Sequence, residues 1–321
     1  MISKKNLITG VAGFIGSNLA KKLLKENINC ESLIRKREKL KVIGADNLSA
    51  GTWENIPKGV EFFKMDIRDK EIFPLFKGVD VVFHLAAKNC LIDCLNDPLD
   101  TSDINVKGTV NVLEASKAAE VKRFIYADSA AEYERVYDFP SKVNKVRPIG
   151  TYAVSKRAGA LFCESYQKIF GLNVTILRYF NVYGPAQDWR RVIPPVMSAF
   201  IFKLLKGERP VIYGTGEKRR DFIYIDDVND FHLKIVENDT TIGKTYNVGS
   251  GVNYSINEIY QLIDEILQTG IKPIYKEDLP GEAEVTLADI SESAALGWEP
   301  KIDIKEGLKK SIEYIKEKVF R

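Results

Sequence analysis

Three glycines at a spacing of three residues constrain the fold of this chain more than any other feature. Gly10, Gly13 and Gly16 directly follow a short apolar run and precede a segment of helical period. Glycine lets the backbone turn sharply after a strand and approach a pyrophosphate, which the N-terminus of the following helix then stabilises. The same spacing also occurs in ordinary strand-to-helix turns. The pattern therefore indicates a dinucleotide site only together with further residues.

Apolar runs alternate with segments of helical period through the first half of the chain. The runs that we predict as buried strands are residues 7–9, 42–45, 62–65, 79–86, 124–127 and 174–179. Such alternation indicates the α/β class with a doubly wound parallel sheet of the Rossmann type. After Tyr183, proline, glycine and charged residues become denser, which predicts a smaller, mixed C-terminal lobe. We assign residues 1–181 and about 226–253 to the dinucleotide-binding domain, and residues 182–225 and 254–321 to the substrate lobe.

Short sequence signals predict where several helices of the second half begin or end. Ser255 and Glu258 have the spacing of a capping box, which predicts a helix N-terminus. Gly297 is predicted to be the C-cap of another helix. Asp226 and Asp227 are predicted to be structural caps.

Composition and charge weigh against several functional classes. The 47 basic and 44 acidic residues give a net charge of +3 that is spread along the chain, which does not indicate nucleic-acid binding. The longest charge-free stretch, residues 6–20, is shorter than the ~20 apolar residues of a membrane span, and no secretory leader is visible. We therefore expect a cytoplasmic protein without a membrane partner. The four cysteines lack the spacing of a zinc or redox site, so no metal is predicted.

Asp46 ends the second predicted strand, where a carboxylate binds the adenosine ribose hydroxyls in dinucleotide-binding folds. Its charge favours NAD over NADP, because a 2′-phosphate would be repelled. Asp46 follows Gly16 by 30 residues, more than the ~20 of the usual fingerprint, so residues 30–41 resemble an insertion of unknown role. In an alternative assignment, residues 30–34 form the second strand. The basic segment that begins at Arg35 would then follow this strand and would suit the 2′-phosphate of NADP.

Tyr152 and Lys156 are four residues apart and therefore share one face of a helix. A tyrosine with a pKa of ~10 is a weak base at neutral pH, but a neighbouring ammonium and a positive nicotinamide ring favour the phenolate. Ser129 precedes Tyr152 by 23 residues and ends a predicted strand, from which it can hydrogen-bond the same substrate hydroxyl. Tyr314 and Lys318 repeat the spacing near the C-terminus, where we predict a solvated helix face.

In this order, these residues resemble the extended short-chain dehydrogenases/reductases of the NAD-dependent epimerase/dehydratase family, and most closely the UDP-glucose (UDP-sugar) 4-epimerases. Matching blocks cover almost the whole chain: DNLSAG, MDIRD, HLAA, NVKGTVNVLEA, LRYFNVYGP, RRDFIYIDDV and LADISESAALGWEP. The resemblance implies NAD as the cofactor and a UDP-sugar as the substrate, whose C4 epimers interconvert through a 4-keto intermediate. It also implies a role in galactose metabolism and a homodimer.

The resemblance assigns roles to individual residues. Tyr152 would be the catalytic acid and base, Ser129 would polarise the sugar oxygen, and Lys156 would hold the nicotinamide ribose. The residues that would bind the dinucleotide are Gly10, Gly13, Phe14, Ile15, Gly16, Asp46, Asn47, Asp66, Ile67, Leu85, Ala86, Ala87, Asn105, Tyr152 and Lys156. The residues that would bind the sugar nucleotide are Ser129, Asn181, Val192, Tyr213, Arg220 and Thr286. Thr286 is small and would admit a 2-acetamido group.

Several positions depart from the family pattern without removing a reacting group. Asp128 stands where the family usually has serine or threonine, and Glu132 and Glu134 flank Tyr133 where a Val-Tyr-Gly pattern is common. Leu279 stands where many relatives have an arginine that binds the diphosphate, so this contact is in question.

Other functions remain as alternatives at this stage. A 4,6-dehydratase needs an Asp-Glu pair where this chain has Ala130 and Ala131, which argues against dehydration. Around PGEAEVTLAD the sequence also resembles UDP-glucuronate 4-epimerases, so epimerisation or decarboxylation of a sugar acid remains open. A non-catalytic NAD-sensing protein is a more remote alternative, because the three reacting residues are intact.

Overall fold

The structure is a computed structural model that describes residues 5–31, 40–191, 193–278 and 283–320, with the backbone alone for residues 27–31. It divides into two compact units. The first unit comprises Met1–Glu132, Pro148–Arg178 and Asn229–Tyr246, and the second comprises Tyr133–Arg147, Tyr179–Val228 and Asn247–Arg321.

Each of the six apolar runs that we predict as strands overlaps a strand of the structure, but only short 3₁₀ helices separate the second, third and fourth strands. The strands are β1 Lys5–Thr9, β2 Lys41–Asp46, β3 Glu61–Lys64, β4 Val81–His84, β5 Arg123–Ser129, β6 Val174–Tyr179, β7 Asn181–Tyr183, β8 Val211–Tyr213, β9 Arg219–Tyr224, β10 Thr245–Val248, β11 Asn253–Ser255 and β12 Ile274–Lys276. The helices are α1 Phe14–Glu31, α2 Leu91–Asn96, α3 Pro98–Ser102, α4 Thr109–Ala118, α5 Thr151–Phe170, α6 Val196–Leu205, α7 Ile225–Val236, α8 Ile256–Leu267, α9 Ser291–Ala294 and α10 Ile304–Val319. A π-helical segment, Asp103–Gly108, leads directly into α4.

Within the described residues, seven strands form one sheet in the order β10-β6-β5-β4-β1-β2-β3. The pairs β1–β2, β1–β4, β2–β3 and β4–β5 are parallel. The strand order reverses at β1, so the carboxyl ends of β1 and β4 border a topological switch point, where doubly wound sheets bind ligands. This sheet confirms the predicted Rossmann-type α/β fold.

The sheet is buried on both faces, which explains why its strands read as continuous apolar runs. All six residues of β6 are buried, and Leu7, Val82 and Phe124 from three neighbouring strands belong to one core cluster. Each fully buried side chain of this size contributes roughly 1.5–3 kcal/mol of hydrophobic stabilisation. The core therefore holds the strand ends, from which the candidate site residues project, in a rigid arrangement.

The second unit contains a three-stranded sheet, in the order β11-β9-β7, and a strand pair, β12-β8. Ser255 accepts a hydrogen bond from the Glu258 N–H at 3.0 Å and Glu258 accepts one from the Ser255 N–H, so the predicted capping box is confirmed. Gly297 is not a C-cap, because α9 already ends at Ala294. Gly297 closes the following turn, with φ +72° and a hydrogen bond from its N–H to the Ala294 carbonyl.

The second strand of the main sheet is β2, which pairs in parallel with β1. Helix α1 continues to Glu31, so the alternative assignment of residues 30–34 to the second strand is wrong for residues 30 and 31. Residues 32–39, with the basic segment at Arg35, lie outside the described residues. The ring of Tyr314 on α10 packs edge-on against Trp189, so this helix face is only partly solvated.

Asp226 and Asp227 lie inside the first turn of α7, so neither is its N-cap, and Asp227 instead binds a distant segment of the second unit. Its carboxylate accepts hydrogen bonds from the N–H groups of Lys301 and Ile302 at 2.9 and 3.2 Å. The Trp298 indole N–H donates to the Asp227 carbonyl. Asp227 thus anchors the segment that leads into α10. None of the described helices is both long enough and apolar enough to cross a membrane.

Candidate active site

The glycine loop between β1 and α1 has a geometry that only glycine satisfies. Gly10 has φ +76°, and a Cβ atom there would lie 2.8 Å from the backbone nitrogen of Ala86. A Cβ atom at Gly16 would lie 2.2 Å from the Gly10 carbonyl oxygen. The close approach brings the N-terminus of α1 against the end of β1, where free N–H groups and the helix dipole favour an anion. Phe14 and Ile15 form the first turn of α1.

Asp46 lies at the carboxyl end of β2, beside the glycine loop. Its carboxylate accepts hydrogen bonds from the Ala12 N–H at 3.0 Å and from the Leu48 N–H at 2.8 Å. Burial raises the pKa of Asp46, and these two hydrogen bonds oppose that rise. The structure therefore places the Asp46 carboxylate next to the glycine loop, as the predicted strand 42–45 requires.

Asp66 is held by a residue that the sequence analysis did not single out. The Arg68 guanidinium donates to both carboxylate oxygens of Asp66, at 2.9 and 2.8 Å, and Asn47 donates to Oδ2 at 2.8 Å. These contacts, the Arg68 hydrogen bond above all, lower the pKa of Asp66 to about 2. Ile67 is buried against Gly108, whose added Cβ would lie 2.6 Å from the Ile67 Cδ1. The segment after β3 is therefore firmly positioned.

Asn105 ties the loop after β4 to helix α5. Its side chain accepts from the Lys88 N–H at 2.8 Å, and its amide donates to the Lys88 carbonyl at 3.0 Å and to the Ser155 hydroxyl at 2.9 Å. Asn105 lies inside the π-helical segment, so it does not cap the helix that follows. Leu85, Ala86 and Ala87 form the loop directly after β4.

His84, at the end of β4, is a buried link that the sequence analysis left unassigned. Its Nδ1 lies 2.7 Å from the Thr9 hydroxyl and its Nε2 lies 3.0 Å from the Thr109 hydroxyl. Because Thr109 donates its proton to the Asn105 carbonyl, Nε2 of neutral His84 must be the donor to Thr109. Burial, followed by the charge of Lys156, lowers the pKa of His84 to about 3. His84 is therefore a neutral structural residue.

The structure brings Ser129 and Tyr152 into hydrogen-bond contact. Ser129 ends β5, and Tyr152 lies in the first turn of α5. Burial raises the pKa of Tyr152 to about 12, and the hydrogen bond with Ser129 acts in the opposite direction. Without a bound cofactor the tyrosine is therefore protonated at neutral pH.

Lys156 lies one helical turn after Tyr152 and is buried. Its Nζ lies 4.2 Å from the centre of the Tyr126 ring, a cation–π contact. The Tyr126 hydroxyl in turn donates to the Lys156 carbonyl at 3.1 Å, next to Gly159, where any side chain would clash with this ring. Burial lowers the pKa of Lys156 to about 8, and the charge of Asp128 partly offsets this effect.

In the second unit, Thr286 hydrogen-bonds the two residues that flank Arg220 in strand β9. Thr286 donates its N–H to the Arg219 carbonyl at 3.0 Å, and its hydroxyl accepts from the Asp221 N–H at 3.1 Å. Arg220 Nη1 lies 3.0 Å from the Arg219 carbonyl, to which it donates. The carboxylate of Asp221 accepts from the N–H groups of Ser250, Gly251 and Ala288.

The other candidate sugar-nucleotide residues lie on different elements. Asn181 begins β7 and pairs with Phe222 of β9. Tyr213 ends β8 and pairs with Lys276 of β12. Val192 and Leu279 lie outside the described residues. Among the described residues no group of three or more His, Cys, Asp or Glu side chains is arranged to hold a metal ion.

Comparisons with known proteins show the family of the chain. The model of the NAD dependent epimerase/dehydratase family matches residues 6–249. A putative UDP-glucose 4-epimerase of Methanocaldococcus jannaschii is 35% identical and covers 97% of this chain and 98% of its own.

Two solved structures are similar over nearly their whole length. The UDP-glucose 4-epimerase of Thermotoga maritima, with UDP-glucose, has a TM-score of 0.91 at 33% identity and covers 98% of this chain and 99% of its own. The UDP-N-acetylglucosamine 4-epimerase of Methanobrevibacter ruminantium, in complex with UDP-N-acetylmuramic acid, has a TM-score of 0.91 at 31% identity and covers 99% and 100%.

Proposed function

Because the chain belongs to the NAD-dependent epimerase/dehydratase family, we propose that it interconverts the C4 epimers of a UDP-sugar. The observation that carries this proposal is the hydrogen bond between Tyr152 and Ser129, one helical turn from the buried Lys156. This is the arrangement of a proton-transferring tyrosine, a polarising hydroxyl and a fixed cation. The similar structures named above include epimerases with UDP-sugars bound.

The first unit fits NAD. Gly10 and Gly16 allow a close approach of backbone segments that a Cβ atom at either position would prevent, and the free N–H groups at the N-terminus of α1 would bind the pyrophosphate. Asp46 would accept hydrogen bonds from the ribose hydroxyls and would repel a 2′-phosphate. Asp66 and Ile67 would flank the adenine. NAD, when bound, supplies the reversible acceptor of the hydrogen at C4.

The residues of α5 and β5 move the proton. Tyr152 would remove the proton from the sugar 4-hydroxyl, while Ser129 donates a hydrogen bond to the same oxygen. The ammonium of Lys156 would bind the nicotinamide ribose and favour the phenolate form of Tyr152. After the 4-keto sugar has turned over, Tyr152 would return the proton to the oxygen. The reaction is redox-neutral overall, so no external oxidant is consumed.

The second unit would bind the sugar nucleotide. Arg220 would pair with the diphosphate, since a guanidinium offers two parallel donors to such a group. Asn181, Val192 and Tyr213 would contribute further contacts. Thr286 would face the sugar, where its small side chain leaves space for a 2-acetamido group. We therefore expect UDP-glucose and UDP-N-acetylglucosamine as substrates, with galactose metabolism as the setting in the cytoplasm.

An apolar face of the first unit supports the proposal of a homodimer. A groove of about 950 Å³ lies between α5 and the segment that includes α3 and α4. Leu99, Ile149 and Val154 line it and are 84%, 58% and 48% exposed. Exposed apolar patches of this kind mark interaction sites. A second copy of the chain would bury them.

Product analysis tests the epimerase proposal. The purified protein is incubated separately with UDP-glucose, UDP-N-acetylglucosamine and UDP-glucuronate, and the products are identified by NMR. We expect the C4 epimers of the first two sugars without added NAD, because a redox-neutral cycle gains nothing from releasing the cofactor. Turnover of UDP-glucuronate alone would favour the sugar-acid alternative. A 4-keto-6-deoxy product would contradict the proposal.

A further inference from the structure

Arg178 of β6 joins two carboxyl groups in the interior of the first unit. Its Nε donates to Oδ2 of Asp128 at 2.8 Å, and its Nη2 donates to Oε2 of Glu132 at 2.8 Å. The side chains of Asp128 and Glu132 are fully buried. Two carboxyl groups thus share one guanidinium in the interior, where an ionised carboxylate is costly unless its oxygens are paired.

Each carboxyl group has a second oxygen, which Nε and Nη2 of Arg178 do not bind, and these two oxygens indicate where a proton is held. Among the described residues, neither Oδ1 of Asp128 nor Oε1 of Glu132 has a hydrogen-bond partner, although both atoms are buried. A proton on one of the two carboxyl groups supplies the missing donor, because ionised carboxylates are acceptors only. Burial, followed by the charge of Asp128, raises the pKa of Glu132. Glu132 therefore holds the proton at neutral pH.

The pair flanks the proposed catalytic residue Ser129 in the chain. Asp128 precedes Ser129 on β5, and Glu132 lies in the short turn that follows. The charge of Asp128 raises the pKa of both Tyr152 and Lys156. The other titratable or charged groups that act on these residues or on the pair are His84, Cys94, Tyr126, Arg157 and Cys163.

We propose that Asp128 and Glu132 share one proton at neutral pH, which leaves Asp128 as the single negative charge that holds Lys156 in its ammonium form. Asp128 is then a positioning residue for the epimerisation proposed above, on which this inference rests. Glu132 keeps the charge of the pair at minus one, because a second negative charge would oppose loss of the Tyr152 proton. Both acids stand at positions where the sequence departs from the family pattern, and the structure shows that the two departures form one cluster.

Infrared spectroscopy tests the shared proton without any substrate. A protonated carboxylic acid has a C=O stretch that is separated from the carboxylate bands. We expect this band in the wild-type protein at pH 7, its loss in Glu132→Gln, and its retention in the control Glu134→Gln. The absence of the band from the wild type would overturn the proposal. This readout stands apart from turnover, so it distinguishes failure of this inference from failure of the epimerase assignment.

Two matched variants test the positioning role through the pH dependence of kcat. Glu132→Gln keeps a donor to Asp128 and an acceptor for Arg178. Both the acidic limb and the alkaline limb of its pH profile of kcat should therefore stay within about 0.3 pH units of the wild type. Asp128→Asn should move both limbs to lower pH by about half a unit or more, because Tyr152 and Lys156 both lose a nearby negative charge. A purely structural role would lower kcat and Tm without moving the limbs, and that result would overturn the proposal. If Asp128→Asn does not fold, the infrared comparison still decides.

Discussion

Tyr152 and Ser129 are hydrogen-bonded to each other across the 22 residues that separate them in the chain, and this bond opposes the rise in the Tyr152 pKa that burial causes. The pKa of Tyr152 nevertheless lies at about 12. A bound positive nicotinamide ring would favour the phenolate further. Proton transfer by Tyr152 therefore depends on the loaded cofactor site, and the first prediction tests this residue directly.

Tyr152→Phe should lower kcat by about 10²–10⁴-fold, because it removes the proton-transferring hydroxyl and little else. The content of bound NAD and Tm should stay close to wild type. Tyr314→Phe is the matched control, since Tyr314 and Lys318 have the same spacing on α10, and it should keep full turnover. Turnover like the wild type in Tyr152→Phe would refute the assignment.

Thr286→Tyr should abolish turnover of UDP-N-acetylglucosamine and spare UDP-glucose, because a bulky side chain at this position would exclude the 2-acetamido group by steric clash. The Thr286 hydroxyl also accepts a hydrogen bond from the Asp221 N–H. Thr286→Val removes this bond with little change in size and serves as the control, which should keep both activities. Equal loss of activity on both substrates in the tyrosine variant would contradict the proposal that the size of residue 286 selects the substrate.

Asp46→Asn should weaken NAD binding by about 10- to 100-fold, the effect of losing a hydrogen bond to a charged group. It should also reduce the discrimination against NADP, because the repulsive charge is gone. Titration of the cofactor-free protein with each dinucleotide measures both effects. Unchanged discrimination would show that the ribose is recognised elsewhere, for example by the basic segment at Arg35.

Because His84 is buried in its neutral form, we expect the free energy of unfolding to fall as the pH decreases. Its pKa in the folded protein is about 3, below its ordinary value of 6.5, so the unfolded chain binds the proton first. The contribution of neutral His84 to the free energy of unfolding is fully present above pH ~6.5 and is lost as the pH falls toward ~3. The loss amounts to about 2 kcal/mol between pH 6.5 and 5. Urea unfolding of wild type and His84→Asn at several pH values measures it. An equal pH slope in the two proteins would contradict the prediction.

Val154→Lys should shift the protein from a dimer to a monomer in light-scattering measurements, because it places a charge in the apolar groove of the first unit. Ile169→Lys is the control, since Ile169 lies on the same helix and is exposed, but does not line the groove. A wild-type protein that is already monomeric would contradict the homodimer.

Local patterns in the sequence were sufficient to predict much of the first unit. The glycine spacing, the run that ends at Asp46 and the four-residue spacing of Tyr152 and Lys156 each act within a few residues of the chain. Backbone sterics and helix periodicity determine such features without reference to distant residues. The C-cap at Gly297 failed for the same reason, because positive φ occurs in turns as well as at helix ends.

The sequence by itself determined the alternating fold, the family and the order of the candidate catalytic residues. Only the tertiary structure decided that Asn105 joins the loop after β4 to Ser155, that His84 is neutral, and that Arg178 gathers Asp128 and Glu132. These contacts join residues that lie 17 to 75 positions apart in the chain. Burial and partnership at such separations depend on how the strands stack, and no local period or spacing records that arrangement.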